Sequence, residues 1–365
     1  MLLDWRFDGF PGRVLWVDLT RGTTESRDIP HDWLIESMGG KGLATRLLVE
    51  WDTTDYDAAM KLKHPVADRV DAARHPTTPL LFMTGPYQAS TVGSSGRAVV
   101  VARSPLTDLY IDTYIGGNIG HTLRQAGWDG LFITGASENL CRLEVVDGHA
   151  ELHDAQELKG MTTWQVEQTL EEKGDCLSIG PAGESGVRIA SPLTAGRRAA
   201  GRGGTGAAFG FKNLKAVTVK STTKETVRFA NEATLKSAVK VQRQEMGLRR
   251  RSGDPFYSFG TSRGPIYASE NGRMPTANYS STNAMIPNFS ELKVSGGQGG
   301  VVPSKGNPVS ITTELDAHEL SGEHWHESLP EAKQSACCAP CPIACEAADR
   351  PTINGEKIRK RPVHI

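Results

Sequence analysis

The 365-residue chain lacks any run of 18 consecutive apolar residues, which excludes a membrane-spanning helix. It lacks charge of a dominant sign: 41 Lys and Arg face 42 Asp and Glu, a net −1. That removes the bulk electrostatic case for nucleic acid or an anionic membrane as partner. Cysteine is scarce. Six residues are too few for a disulfide scaffold in a chain this long. The opening Met1-Leu2-Leu3-Asp4-Trp5-Arg6-Phe7-Asp8 has no basic stretch followed by an apolar one, so no secretory signal is expected. No internal repeat is evident. What the chain has in excess is glycine, 39 of 365 or about 11%, against a usual ~7%.

The length suggests roughly two domains. Residues 1–220 read as one, strand-rich with interspersed helices, so α+β fits better than a regular βαβ repeat. Arg13 to Leu19 alternates and runs into the turn Thr20-Arg21-Gly22-Thr23, which opens a hairpin. One helix is expected from Leu34 to about Trp51, across Gly39, Gly40 and Gly42. Residues 52–78 are polar and read as a surface excursion with a short helix. Strands are expected at residues 80–84, 98–102, 130–135, 142–146, 176–179 and 217–219. Helices are expected at 118–125 and 161–173, the second opened by Thr162 and Thr163. After Lys220 the character changes. Asn231 to Arg250 reads as a polar, basic helix, and residues 253–305 as a long loop, a length that calls for a function. Helical signals return at 316–323, and a basic tail closes the chain.

The cysteines cluster. Cys337, Cys338, Cys341 and Cys345 fall within nine residues, and the last three form C-x2-C-x3-C. Such a run lets several thiolates turn onto one centre, either iron–sulfur or zinc. Small buried thiols are the bland alternative. Cys337 would share a helix face with Cys341 and Cys345, but Pro340 and Pro342 disfavour a helix, which favours Cys338. A fourth ligand is missing here, and Cys141, Cys176 and His364 are poor candidates by position. Thiolate ligands suit a reducing cytoplasm.

Glycine and arginine cluster as well. Residues 194–206, Thr-Ala-Gly-Arg-Arg-Ala-Ala-Gly-Arg-Gly-Gly-Thr-Gly, combine close backbone approach with forked donors, a combination suited to phosphate oxygens. No Gly-Lys-Ser/Thr follows, so this is no Walker motif, and the dinucleotide fingerprint is weak. Further glycine turns stand at Gly93-Ser94-Ser95-Gly96-Arg97, at Tyr114-Ile115-Gly116-Gly117-Asn118, where a helix opens, and at Gly180-Pro181-Ala182-Gly183. Singly, each is ordinary turn chemistry. Together they suggest one large phosphorylated ligand held mainly by backbone.

In this order the motifs resemble the tungsten-dependent aldehyde:ferredoxin oxidoreductases. The resemblance runs from Gly12-Arg13-Val14-Leu15 and Gly39-Gly40-Lys41-Gly42, through Gly96-Arg97 and Ser104-Pro105-Leu106-Thr107, to Arg198-Ala199-Ala200-Gly201-Arg202. It continues with Lys212-Asn213-Leu214-Lys215-Ala216, Tyr257-Ser258-Phe259-Gly260-Thr261 and Glu270-Asn271-Gly272, and ends on the cysteine run. The resemblance implies an N-terminal pterin-binding α+β domain, residues 1–220, and an incomplete, mainly helical domain, residues 221–365, that carries the cysteines.

It also implies a tungsten held by two pterins, a four-iron, four-sulfur cluster, and Mg2+ joining the pterin phosphates. Aldehydes would be oxidised to carboxylic acids, with ferredoxin as electron acceptor. Arg97 would lie between pterin and cluster; Gly116, Arg198, Ala199, Ala200, Gly201 and Arg202 would line the pterin. Backbone carbonyls of Tyr114 and Ala199 would hold the magnesium, and Cys338, Cys341 and Cys345 would bind the cluster. The family usually has Asn where Tyr114 stands; a carbonyl ligand survives that change. Family members continue well past the third cysteine, into a half that carries the fourth cluster cysteine and the acid/base groups. No catalytic residue is therefore named. A second chain, or a homodimer, is one expected way to complete the site; a non-catalytic cofactor-binding module is the rival reading.

Overall fold

The computed structural model describes residues 8–51, 69–222 and 228–252, together with 333–335, 338, 341, 346–349, 352–353, 356–357 and 361–362. The backbone divides into two compact units: Met1–Val241 with Cys338–Cys341, and Gln242–Cys337 with Pro342–Ile365.

Two six-stranded mixed sheets build the first unit. One contains β1 (Arg13–Asp18), β2 (Thr23–Asp28), β3 (Leu80–Met83), β4 (Ala98–Arg103), β5 (Tyr110–Ile115) and β6 (Gly130–Thr134), in the order β2-β1-β6-β3-β4-β5. Its pairs are antiparallel except β1 with β6. The other contains β7 (Cys141–Val146), β8 (His149–Asp154), β9 (Asp175–Ser178), β10 (Leu193–Thr194), β11 (Arg198–Ala199) and β12 (Leu214–Lys220), in the order β11-β10-β9-β12-β7-β8. Here only β7 and β12 run parallel. The α+β class expected from the sequence is the class observed.

The apolar runs are continuous because the central strands are buried on both faces. In β4, Ala98, Val100 and Ala102 join one core with Leu143, Val145, Leu177, Val217 and Val219 of the second sheet. The alternate residues Val99 and Val101 join another, with Leu34, Leu43 and Leu47. Those leucines belong to α1 (His31–Ser37) and α2 (Gly40–Trp51), which cover the first sheet. A third cluster, with Val166, Leu170, Cys176 and Ala216, covers the second sheet.

A single helix over residues 34–51 is not what forms. Met38 (φ 53°), Gly39 (φ 72°) and Gly40 (φ 52°) are left-handed, which ends α1 and restarts the chain as α2. The Gly40 amide donates to Thr84 O at 2.9 Å, and a Cβ on Gly39 would lie 3.2 Å from the same oxygen. Close approach to β3 therefore decides the break.

The remaining helices are α3 (Arg69–Arg74), α4 (Ile119–Gln125), α5 (Thr163–Thr169), α6 (Pro181–Glu184), α7 (Thr205–Phe211) and α8 (Glu232–Arg251). Helix α5 starts on a capping box between Thr162 and Gln165, as the Thr-Thr opening suggested. The sequence does not announce β5, β8, β10, β11, α6 or α7. In the second unit the described strands are β13 (Lys333–Ser335), β14 (Glu346–Asp349), β15 (Thr352–Ile353), β16 (Glu356–Lys357) and β17 (Arg361–Pro362). They pair as β13-β14-β17 and β15-β16. The loop expected at 253–305 and the helix expected at 316–323 lie outside the described residues. Among the described residues, no helix is long and apolar enough to cross a membrane.

Candidate cofactor and metal centre

The described members of the expected site gather where β4 begins and β5 ends. The two strands are antiparallel, with Ala98 opposite Ile115 and Val99 opposite Tyr114. Arg97, exposed, immediately precedes β4, and Gly116, half-buried, immediately follows β5. Strand pairing thus sets the arginine loop beside the glycine turn that opens α4.

The loop between β3 and β4 is fastened from within. Gln88 is fully buried. Its Oε1 accepts from the Gly85 amide at 2.8 Å, and its Nε2 donates to Gly96 O at 3.1 Å. The Ala89 amide donates to His121 Nδ1 of α4 at 3.1 Å, so that nitrogen is unprotonated. Burial pushes the His121 pKa below its ordinary value, and the Asp175 carboxylate opposes the shift. Arg124, also on α4, donates to Gly85 O at 2.5 Å and pairs with Asp129. Both members of that pair are wholly buried. Asp129 also accepts from the Gly12 and Arg13 amides at 2.7 and 2.9 Å, which ties β1 to the same support. Burial pushes the Asp129 carboxyl up, and the Arg124 charge and both amides oppose that rise.

The glycine–arginine segment lies against the same turn. A Cβ on Gly117 (φ 81°) would meet Thr194 Cγ2 at 3.2 Å and Ala195 Cβ at 3.4 Å. Thr194 pairs with Arg198, and Leu193 with Ala199, in the edge hairpin β10–β11. Ala200 is buried, its amide donating to Pro192 O at 3.1 Å. Gly201 and Arg202 are exposed, and the Arg202 amide donates to Thr113 Oγ1 at 3.4 Å, next to Tyr114. A Cβ on Gly201 would meet nothing within 4 Å. Ser104 Oγ donates to Gly203 O at 2.8 Å, so the Ser-Pro-Leu-Thr turn braces the segment.

Two cysteines come to this place from far along the chain. Cys338 is buried and forms an isolated parallel bridge with Gly117. Cys341 is half-buried, its Sγ 3.8 Å from Ser94 Oγ. Neither is in a disulfide. Cys345 and Cys337 lie outside the described residues. Among the described residues no three His, Cys, Asp or Glu side chains converge on one point.

Charge around the site is largely basic. Lys41 Nζ of α2 lies 3.6 Å from Asp112 Oδ2 on β5, and Tyr114 and Asp112 hold the lysine above its ordinary pKa. Arg97, Arg197, Arg198 and Arg202 belong to the two loops just described. This is an environment for anionic groups approached by backbone amides. A separate cavity of about 590 Å³ lies under the β1–β2 hairpin, walled by Trp16, Trp33 and Trp51, and contains none of the expected site residues. Trp16 has its faces taken by Phe132, 3.9 Å away, and the Arg27 guanidinium, also 3.9 Å.

Residues 14–221 match the family described as aldehyde ferredoxin oxidoreductase, N-terminal domain. The chain belongs to the aldehyde ferredoxin oxidoreductase family. It is 31% identical over 276 residues to a tungsten-containing aldehyde ferredoxin oxidoreductase of Pyrococcus abyssi, covering 74% of this chain and 43% of the relative. The protein of that name from Pyrococcus furiosus is 29% identical over 348 residues, covering 94% of this chain and 49% of the relative. The chain thus spans about half the length of the curated relatives it matches. A solved structure described as the active site complex BamBC of benzoyl coenzyme A reductase, with 1,5-dienoyl-CoA, shares the fold. Its TM-score is 0.70 at 22% identity, covering 98% of this chain and 49% of that one.

The sequence reading named Arg97 and the cysteines of this family member but missed what holds them. Gln88 and His121 carry no pattern that singles them out, whereas Gly117 stands in the glycine turn that opens a helix. The nearest clue was Gly120, where a Cβ would lie 2.3 Å from Gln88 Nε2, so the small residue leaves room for the buried amide.

Proposed function

We propose that this chain is the cofactor-binding half of a tungsten-dependent oxidoreductase that converts aldehydes to carboxylic acids and passes the electrons to ferredoxin. The observation that carries this reading is the meeting of the Cys338–Cys341 loop with Ser94 and Gly117, beside Arg97 and the glycine–arginine segment. The donor set fits the groups the family implies. Two cysteines outside any disulfide and separated by two residues suit an iron–sulfur cluster, and the open space at Gly201 suits a ligand approached by backbone.

When bound, the tungsten bis-pterin supplies the two-electron oxidation and the cluster supplies single-electron transfer. The chain's own part is to bind and orient. Thiolates of Cys338, Cys341 and Cys345 would hold the cluster. Backbone amides and carbonyls at Gly116 and at residues 198–202 would line the pterins, with guanidinium forks of Arg198 and Arg202 toward the phosphates. Carbonyls of Tyr114 and Ala199 would take the Mg2+. Arg97 would stand between pterin and cluster, where a fixed positive charge stabilises added electrons. The acid/base groups and a fourth thiolate are assigned to the remainder of the protein, on this polypeptide or on a second chain. The structural relative, itself described as a complex, supports the second arrangement as well. Thiolate ligation of this kind goes with the reducing cytoplasm.

Metal analysis with EPR spectroscopy on the native protein, purified without oxygen, tests the reading. Near-stoichiometric tungsten and about four irons per chain are expected. Zinc without tungsten or pterin would overturn it.

A further inference from the structure

We propose that Ser94 tunes the iron–sulfur centre by donating a hydrogen bond to the Cys341 thiolate, a role that rests on the cluster reading above. Ser94 Oγ lies 3.8 Å from Cys341 Sγ, a contact between residues 247 positions apart. Its direction follows from chemistry. A metal-bound thiolate has no proton to give, so the hydroxyl is the donor.

The backbone aims this side chain. Ser94 has φ 65°, in the left-handed region where glycine is the usual residue, and here a hydroxymethyl group stands instead. The surrounding loop gives it little freedom. Ser95 Oγ donates to Val92 O at 2.8 Å and to Tyr87 O at 3.0 Å, and Ser90 Oγ accepts from the Val92 amide at 3.2 Å. Gln88 fixes Gly96, and His121 fixes Ala89. With Ser95 committed to carbonyls, Ser94 is the hydroxyl of this pair that faces sulfur.

Hydrogen bonds to ligand sulfurs are among the terms that set cluster potentials. A donor stabilises the more negative, reduced cluster and so raises the potential. Cys338 differs, because it meets Gly117 backbone and is 5% exposed. The two thiolates would therefore be tuned by different means, one by a side chain and one by main chain and burial.

The test is an EPR-monitored redox titration of the native, iron-loaded protein, comparing wild type with Ser94→Ala and Ser94→Gly, and counting iron in each. Both variants should lower the midpoint potential at unchanged iron content, Ser94→Gly while keeping the left-handed backbone free of strain. An unshifted potential in either variant, or loss of iron from Ser94→Gly, overturns the tuning role and leaves the cluster reading standing. A wild-type protein that holds no iron–sulfur cluster overturns both.

Discussion

The β3–β4 loop is fastened by side chains, whereas the 194–204 segment is fastened largely by their absence. In the first, Gln88, Ser90, Ser95 and His121 satisfy the backbone of residues 85–97. In the second, Gly203 (φ 78°) and Gly204 (φ 74°) let the chain press against Ile111 and the Arg188 carbonyl. Both serve one task, holding main chain still beside a ligand. They fail differently. A loop held by hydrogen bonds loses them one at a time, while a loop held by close approach fails when a Cβ is added at a point of contact.

The largest effect is therefore expected at Gly204. A Cβ there would lie 1.9 Å from Arg188 O, a backbone atom that has no rotamer to change, and φ is already left-handed. Strain and overpacking together put the loss for Gly204→Ala on the order of 3 kcal/mol or more. Urea denaturation measures it; a loss under about 1 kcal/mol would show that the segment can yield, and the contrast with the side-chain loop would collapse.

Gln88→Ala comes next. It orphans the Gly85 amide and the Gly96 carbonyl, both beneath a fully buried side chain. A buried unsatisfied group costs about 1–3 kcal/mol, and water entering the vacated space recovers part of that, so a loss of about 2 kcal/mol is expected. Hydrogen exchange should quicken across residues 85–97 and stay unchanged at 194–204. Equal quickening in both would mean that the two loops are not separately anchored.

The third test uses pH. His121 accepts from the Ala89 amide only while Nδ1 is unprotonated, and burial lowers its pKa from 6.5. The unfolded imidazole therefore binds its proton first as pH falls. Stability from this group is complete above pH 6.5 and drains away between that value and the lowered folded one. Acidification from pH 7 through the lowered folded value should expose the Ala89 amide to exchange. In His121→Ala, about 1 kcal/mol less stable, that amide should exchange quickly at both ends of that range. A protected Ala89 amide in that variant would mean that the imidazole is not its anchor.

The contrast also explains what the sequence disclosed. β3, β4 and β6 were legible because a core on either face makes them continuous apolar runs, and β1 through its alternation and the turn that follows it. β5 was not. Asp112 interrupts it, and its outward residues Tyr110 and Tyr114 are 45% exposed, so only its end stands out, as the start of the glycine turn at residues 114–118. Helix α7 hid behind Gly206 and Gly210, which make room for close neighbours: a Cβ on Gly206 would lie 2.7 Å from the Ala190–Ser191 backbone, and one on Gly210 would sit 1.9 Å from Gly183 O of α6. The cysteine spacing and glycine turns announced a ligand site, but no local pattern could bring Cys341 to Ser94. That proximity comes from the tertiary fold, as does the burial of Gln88, a residue type mostly found exposed.

The smallest structural effect should come from Gly201→Ala, and it sharpens the comparison most. Unlike Gly203 and Gly204, Gly201 is not left-handed, and a Cβ there meets nothing within 4 Å. Folding gives no reason for glycine at this position, so stability should stay within about 0.5 kcal/mol of wild type. A pterin lying against this backbone does give one, because an added methyl group would occupy the cofactor's own space. Pterin content, measured as the fluorescent product released on oxidative denaturation, should then fall while thermal unfolding is unchanged. Full pterin retention in a well-folded Gly201→Ala protein would reject Gly201 as part of the cofactor wall. It would also leave the open space at that position a property of the surface alone.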